Sequence, residues 1–515
     1  MNIVIVAGGL GTRFGSLSVF PKILLPTNKY NSILDEDLSV FPRLDAVYLI
    51  INEKYYKMTE NYLKVNKLDI WANKVILICS NNTNGSYNTL KSVERELPKL
   101  DTLYIWSDIV LDKIPEFDKR KPVSVFTYSN GQRYRYKLED GEISLTDKYD
   151  GNIPGVYYIR DHYLSHVFDT KLDEYPNYDL VDAIKDSGVE VNEIKLNNLF
   201  EYRDYETYLN KLKEYQEDNL KTRFFNELKI DKEKNILTKR AIVEDYYPII
   251  EKEYNWYDYG KVNEEFNSVV PKTFDYTEHS FSMEYLDGYL PLHKVLKMDN
   301  MNISKVNKIY SNIKNSINKI GFQTKIVDKD LVFNPDLRKE VIDKVIARCD
   351  KIKYMLITYD KEYMVSLLNK AFKYLFKLEK KDDVIYQFGH GDLNGSNILV
   401  NPDTLDVKFV DPRGYFGNSN LFIWPKYEYA KLLYCLYGYD DFNNLPQIYG
   451  IDKPKKLPWV NNVSFLHKKE YRILVGVIYV ALAGYISQDI MKANIAYEYG
   501  IELLENELSV WVNQD

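Results

Sequence analysis

The chain has 515 residues, of which 45% are hydrophobic and 28% charged, and it carries a formal charge of -7. The length exceeds what one hydrophobic core serves, so two or three domains are expected, and the ordinary composition excludes a disordered or fibrous chain. The negative balance offers no overall attraction to nucleic acid or to an anionic membrane, and 3 scattered cysteines support neither a disulfide framework nor a Cys-based zinc site, which fits a reducing cytoplasm.

In chain order, the apolar start at Met1 to Ala7 lacks a cationic leader and runs straight into glycines, so it reads as a strand and not as a signal peptide. Short β-rich runs then alternate with amphipathic segments: Ala46 to Ile51, Val75 to Cys79, Thr102 to Trp106 and Val123 to Tyr128. Such alternation implies βαβ units around a mainly parallel sheet, with ligands at the carboxyl ends of the strands. From Tyr208 to Arg223 the sequence turns charged and helix-favouring, without Pro or Gly, as a connecting helix would. Phe225 to Ile230 and Ile236 to Ala241 flank a polar turn and predict a hairpin. A mostly helical stretch follows from Met301 to Lys380. The apolar run Ile473 to Ile486 carries Gly476 and Gly484 and is short for a bilayer span, so it predicts a buried helix and no membrane insertion.

The first chemical constellation follows the opening strand. Ala7, Gly8, Gly9, Gly11 and Thr12 form a glycine-rich turn whose backbone N–H groups can approach phosphates without Cβ interference, while Arg13 and, after Pro21, Lys22 supply positive charge for a triphosphate. The spacing departs from the dinucleotide-binding fingerprint, which disfavours NAD. This combination resembles the sugar-phosphate and phosphocholine nucleotidyltransferases. Further segments carry the resemblance through about residue 209. Asn84 and Gly85, leading to Leu90, stand where that family has a second glycine-containing ligand loop. The run from Leu103 to Asp108 resembles the strand ending in its metal-binding aspartate, with Ser107 where glycine is commoner. Asp204 to Thr207 resembles the segment whose aspartate completes the Mg2+ site, although an acidic residue before a helix also serves as an N-cap. The resemblance implies attack of a phosphate monoester on the α-phosphorus of a nucleoside triphosphate, with Mg2+ on Asp108 and Asp204 and with Arg13 and Lys22 positioning the triphosphate.

The second constellation is sharper. Gly389, His390, Gly391, Asp392, Leu393, Asn394, Gly395, Ser396 and Asn397 precede an apolar run, and Asp411, Pro412 and Arg413 follow another. The pair of motifs resembles the catalytic and metal loops of the aminoglycoside phosphotransferase and choline kinase superfamily, which shares the protein kinase fold. The resemblance implies that Asp392 orients an alcohol and accepts its proton, that Asn397 and Asp411 hold metal between ATP phosphates, and that His390 braces the loop. In the small lobe, Lys239 on the hairpin and Glu253 on the next helix are the candidates for the phosphate-holding ion pair. Glu284 and Tyr285, within the segment Phe281 to Leu286, resemble the hinge that meets adenine through its backbone. No glycine-rich loop precedes Lys239. The aromatic residues Tyr415, Phe416, Phe422, Trp424, Tyr427 and Tyr429 are compatible with a cage for a choline-like ammonium, but in so aromatic a chain they read more simply as packing.

The expected fold class is therefore α/β and α+β multidomain. A Rossmann-like nucleotidyltransferase sheet with helices on both faces would span 1–209, a helical connector 210–223, and a bilobal protein-kinase-like domain 224–515. Kinases of the second type make phosphate monoesters and transferases of the first type consume them, so the fusion implies two consecutive, Mg2+-dependent steps using ATP and a second nucleoside triphosphate, CTP favoured. Fusions of this kind resemble those that supply activated donors for capsule and lipopolysaccharide. Alternatives stay open: a sugar 1-phosphate acceptor, an antibiotic-modifying phosphotransferase, or a transferase domain that only senses nucleotide. The partners expected are nucleoside triphosphates and a small alcohol or sugar.

Overall fold

The computed structural model describes residues 2–28, 31–41, 46–66, 75–82, 85–129, 134–146, 150–169, 178–214, 226–326, 334–381 and 385–509. Met1, Asn84, Phe225 and residues 215–223 of the expected 210–223 connector lie outside the described residues, and the start of that segment is the end of the helix Tyr205–Lys213 of the first unit. The chain divides into two compact units: Met1–Tyr215 with the short segments Ile352–Ile357 and Ser487–Met491, and the remainder.

The first unit is built on β1 (Asn2–Ala7), β2 (Val47–Asn52), β3 (Val75–Ser80), β4 (Thr102–Trp106), β5 (Ile109–Leu111), β6 (Val123–Thr127), β7 (Tyr136–Glu139), β8 (Glu142–Leu145), β9 (Val156–Ile159), β10 (Val191–Lys195) and β11 (Leu199–Glu201). Seven of these form one sheet in the order β10-β6-β9-β4-β1-β2-β3. β1 runs parallel to both β2 and β4, with Val6 opposite Ile50 on one side and Trp106 on the other. All six residues of β1 are buried, as a central parallel strand covered on both faces requires. β9 is the exception in direction, antiparallel to β4 and β6. The parallel-strand sheet predicted from the β-rich runs is thus present. What periodicity did not foresee is β5 pairing with β11 apart from that sheet, Ile109 opposite Glu201.

The second unit opens with β12 (Asn226–Asp231), β13 (Ile236–Ala241), β14 (Thr273–Thr277) and β15 (Ser280–Glu284), a four-stranded antiparallel sheet in the order β12-β13-β15-β14. Asn235, at φ 55°, closes the β12–β13 hairpin; asparagine tolerates that left-handed conformation better than most residues. Helices dominate the rest, among them Ile303–Ile320, Lys344–Lys351, Lys361–Lys381, Pro425–Leu436 and Lys469–Ala483.

The last of these carries most of the apolar run Ile473 to Ile486 and is buried from Ile473 through Ala483. Gly476 lets it approach the helix Ile490–Leu508: a Cβ there would fall 2.9 Å from Leu504 Cγ and 3.2 Å from Gly500 O. Among the described residues no helix is long and apolar enough to cross a membrane.

Candidate functional sites

In the first unit, β1 ends at Ala7 and the chain turns through Gly8 and Gly9 to Gly11, whose φ of 62° favours glycine. A Cβ on Gly8 would lie 2.5 Å from Thr89 Cγ2, so the turn is held close against the helix Ser86–Ser92 that begins just after Gly85. Gly9 and Gly11 face open space. Thr12 and Arg13, at the start of the following 3-10 turn, are exposed. Lys22 Nζ donates to Asp108 Oδ2 at 2.8 Å, with both side chains largely buried, and lies 4.9 Å from the centre of the Phe14 ring. The turn, the second loop and the Lys22–Asp108 pair thus gather at the carboxyl end of the sheet.

Asp204 also has a structural part. It caps the helix Tyr205–Lys213, its Oδ1 accepting from Thr207 N at 2.9 Å and from Thr207 Oγ1 at 2.7 Å, while Oδ2 lies 3.6 Å from Arg203 Nε. These hydrogen bonds hold its carboxyl below the usual range. Glu201, like the buried Asp37, is an acidic group close enough to Asp108 to feel its charge. Its strand is tied there by the hydrogen bond from Tyr202 N to Asp108 O at 2.7 Å. Burial, aided by the Asp108 charge, pushes the Glu201 carboxyl up to about 7. Its Oε2 is buried and has no hydrogen-bond partner among the described residues. Sequence reasoning missed Glu201 because only the β5–β11 register brings it there.

Among the described residues no group of three or more His, Cys, Asp or Glu side chains gathers as a metal site. Mg2+ is commonly held by one or two carboxylates together with substrate phosphates. Asp108 and the unsatisfied Glu201 oxygen fit that donor set; of Asp204, Oδ1 is engaged in the helix cap and Oδ2 lies 3.6 Å from Arg203 Nε.

In the second unit the loop from Gly389 to Asn397 connects the strands Ile385–Phe388 and Ile398–Val400. Burial lowers the His390 pKa and so favours the neutral ring. Its Nε2 meets the Val410 carbonyl at 2.9 Å and Nδ1 accepts from Asp392 N at 3.2 Å. These partners fix the tautomer with hydrogen on Nε2, and they make His390 a brace between the two motif loops. Asn397 Nδ2 donates to Asp392 O at 2.9 Å and lies 3.5 Å from both Asp392 Oδ2 and Asp411 O. Asp411 sits at φ 59°, a costly conformation for a non-glycine residue. Its Oδ1 pairs with Lys239 Nζ, and Lys239 reaches Glu253 Oε2 at 2.6 Å. Burial works against the Lys239 charge, but Asp411 and Glu253 outweigh it and hold the pKa above the usual value. Five residues from distant segments, Lys239, Glu253, Asp392, Asn397 and Asp411, are therefore linked by contacts of 3.5 Å or less. Asn397 and Asp411 stand side by side, a donor pair that fits Mg2+ completed by phosphate oxygens.

The hinge-like segment differs from expectation in one respect. The N–H of Glu284 donates to Lys272 O at 2.8 Å and that of Tyr285 to Asn235 O at 2.9 Å. Neither N–H is available to a base without breaking a bond of the small sheet. The aromatic residues after Asp411 are engaged within the protein: Tyr415 lies under the Arg413 guanidinium at 3.8 Å, and Phe416 packs against Tyr386 and Tyr427.

The helix Pro425–Leu436 supplies two groups that motif reading passed over. Glu428, 1% exposed, accepts from Gly391 N at 2.8 Å, and burial raises its carboxyl to about 7. Lys431 Nζ lies 3.0 Å from Asp392 Oδ1. Charged residues on so apolar a helix were the available signal. Asp440 braces the far side of the loop, accepting from Gly395 N at 3.1 Å and from Ser396 Oγ at 2.7 Å.

No protein-family model and no curated protein matches the chain. Among solved structures, it is similar over its N-terminal part to an inositol-1-phosphate CTP transferase from T. maritima, with 13% identity, 42% of this chain and 97% of that chain covered, and a TM-score of 0.32. It is similar over the same part to a CTP:phosphocholine cytidylyltransferase from Streptococcus pneumoniae, with 20% identity, 41% and 96% covered, and a TM-score of 0.33. A UDP-glucose pyrophosphorylase complexed with UDP-glucose matches at 14% identity, 41% and 96% covered, and a TM-score of 0.34.

Proposed function

We propose that the chain is a bifunctional enzyme that phosphorylates a small hydroxylated compound with ATP and then transfers a nucleotidyl group, from CTP by preference, onto the phosphate monoester. The kinase occupies 224–515 and the transferase 1–209, joined through 210–223. The observation that carries the reading is the linked set Lys239, Glu253, Asp392, Asn397 and Asp411, which supplies a base, a metal-ligand pair and a phosphate-holding cation in one place.

In the kinase step the alcohol oxygen attacks the γ-phosphorus of ATP, the bond to the ADP oxygen breaks, and the alcohol proton passes to the Asp392 carboxylate. Lys239, oriented by Glu253, holds the donor phosphates. His390 and Glu428 keep the Asp392 loop from relaxing, so little reorganisation is needed at the moment of transfer. Asn397 and Asp411 would hold Mg2+, which supplies charge neutralisation between the phosphates.

In the transferase step a monoester oxygen attacks the α-phosphorus of the nucleoside triphosphate and pyrophosphate leaves. The turn at Gly8 to Gly11 gives backbone donors for the triphosphate, and Lys22 and Arg13 give it positive charge. Asp108 with Glu201 would hold Mg2+ here, a change from the Asp108 and Asp204 pair expected at first.

The experiment is direct. The intact chain, ATP, CTP and Mg2+ are incubated with a panel of alcohols, and mass spectrometry looks for a nucleoside diphosphate conjugate. A monoester without conjugate favours a second reading, a kinase with a transferase domain that only binds nucleotide, which the engagement of Asp204 as a helix cap supports.

A further inference from the structure

Beside Asp392 the second unit has a small cleft of about 40 Å³, lined by charged residues of the segment 340–348 and of the helix Pro425–Leu436 and floored by apolar residues of the helix Lys469–Ala483. Its charge is lopsided. Four cations, Lys344, Arg348, Arg413 and Lys431, line it or contact its lining, against the two carboxylates Glu340 and Asp392. Glu340 is 3% exposed in its side chain and is shared by Lys344 and Arg413. Lys431 is committed to Asp392 at 3.0 Å. Arg348 donates to the Ala481 carbonyl at 3.3 Å and lies 5.4 Å from the centre of the Tyr485 ring, and among the described residues it has no carboxylate partner.

We propose that the cleft takes the alcohol substrate by an anionic group, so that the kinase acceptor is a small alcohol bearing a carboxylate or phosphate, its anion held by Arg348 and Lys344 and its hydroxyl directed to Asp392. The inference rests on the kinase reading of the second unit. The physical argument is that half-buried cations left in excess around an apolar floor repel one another unless an anion completes the site. Lys344 shows that deficit: burial, with repulsion from Arg413, brings its ammonium down to about 7 even with Glu340 beside it. A bound anion would restore the balance. Val341, Leu474, Val477 and Ile478 leave the remaining wall apolar, which suits a short carbon chain. A choline-like ammonium would instead meet like charge.

The test uses the intact chain and four probes: glycerate, glycerol 3-phosphate, glycerol and choline. Binding is read by calorimetry, and turnover by ADP release with ATP and Mg2+. One of the two anions should bind, with kcat/KM at least about tenfold above glycerol and choline, and the better of the two says whether the group is carboxylate or phosphate. Arg348→Gln, and separately Lys344→Met, should weaken that anion about tenfold in both Kd and KM. Absence of binding by either anion, preference for glycerol or choline, or anion binding indifferent to both variants overturns the proposal and leaves the kinase reading standing. Anion binding that both variants weaken, without ADP from any probe, upholds the anionic cleft and overturns the kinase reading.

Discussion

Lys431 Nζ lies 3.0 Å from Asp392 Oδ1, an ion pair between a buried turn of the helix Pro425–Leu436 and the motif loop. Burial opposes the Lys431 charge, and Asp392 more than offsets it, so the ammonium pKa stands above its usual value. The cation fixes the direction of the carboxylate and joins the reacting group to the charged cleft.

Replacing that carboxylate should separate the two activities. Asp392→Asn keeps the shape and a hydrogen-bonding oxygen for Lys431 but cannot take a proton. ADP release should fall by roughly 10²–10⁴-fold, the worth of a general base, while pyrophosphate release from preformed monoester persists. Near wild-type ADP release would remove Asp392 from its role.

In the first unit, Asp108→Ala and Lys22→Ala should each lower pyrophosphate release by roughly 10²-fold or more, since Asp108 would hold Mg2+ and Lys22 gives the triphosphate positive charge, and the kinase should survive. Asp204→Ala should behave differently. Losing the cap on the helix Tyr205–Lys213 should cost about 1 kcal/mol of stability in a denaturant titration, with transferase turnover kept. Glu201→Gln should raise the Mg2+ concentration for half-maximal transferase rate. If Asp204→Ala matched Asp108→Ala in turnover, Asp204 and not Glu201 would be the second carboxylate.

Glu428 gives a pH dependence of stability. Its folded pKa, about 7, is raised above the ordinary 4.5, so the folded state holds a proton that the unfolded state releases over that window. Stability from this group is fully present below about 4.5 and is lost as pH rises through about 7. The loss is on the order of 3 kcal/mol. Glu428→Gln keeps an acceptor for Gly391 N and has nothing to ionise. Urea titrations from pH 5 to 8 should show the variant gaining on wild type as pH rises; parallel curves would contradict the buried acid.

The order of chemistry runs opposite to the order of the units. With ATP, CTP, Mg2+ and the right alcohol, the intact chain should accumulate a nucleoside diphosphate conjugate, and neither Asp108→Ala nor Asp392→Asn alone should. Mixing the two variants should restore the product, because the intermediate can diffuse between molecules. A kinase product that the transferase refuses would mean the two halves serve separate reactions.

The amino-acid sequence by itself determined the parallel strands, because β1 to β4 are apolar runs bounded by polar segments, and it located the motif residues whose spacing is local. Asp392 and Asn397 lie on one short loop, and Lys239 and Glu253 on a strand and the helix after it, so chain connectivity nearly sets their distances. Tertiary structure alone decided the rest. Glu201 comes near Asp108 only through the β5–β11 register, and the Asp204 carboxylate, expected as a metal ligand, also caps a helix because Thr207 offers two donors to its Oδ1. Lys431, Glu340, Lys344 and Arg348 read as ordinary surface charges in a helical stretch. Packing gathers them around one cleft, with Glu340 buried and the three cations half-buried, and this gives their charges consequences that no local pattern encodes, since the cost of an unbalanced charge depends on the dielectric and on neighbours distant in the chain.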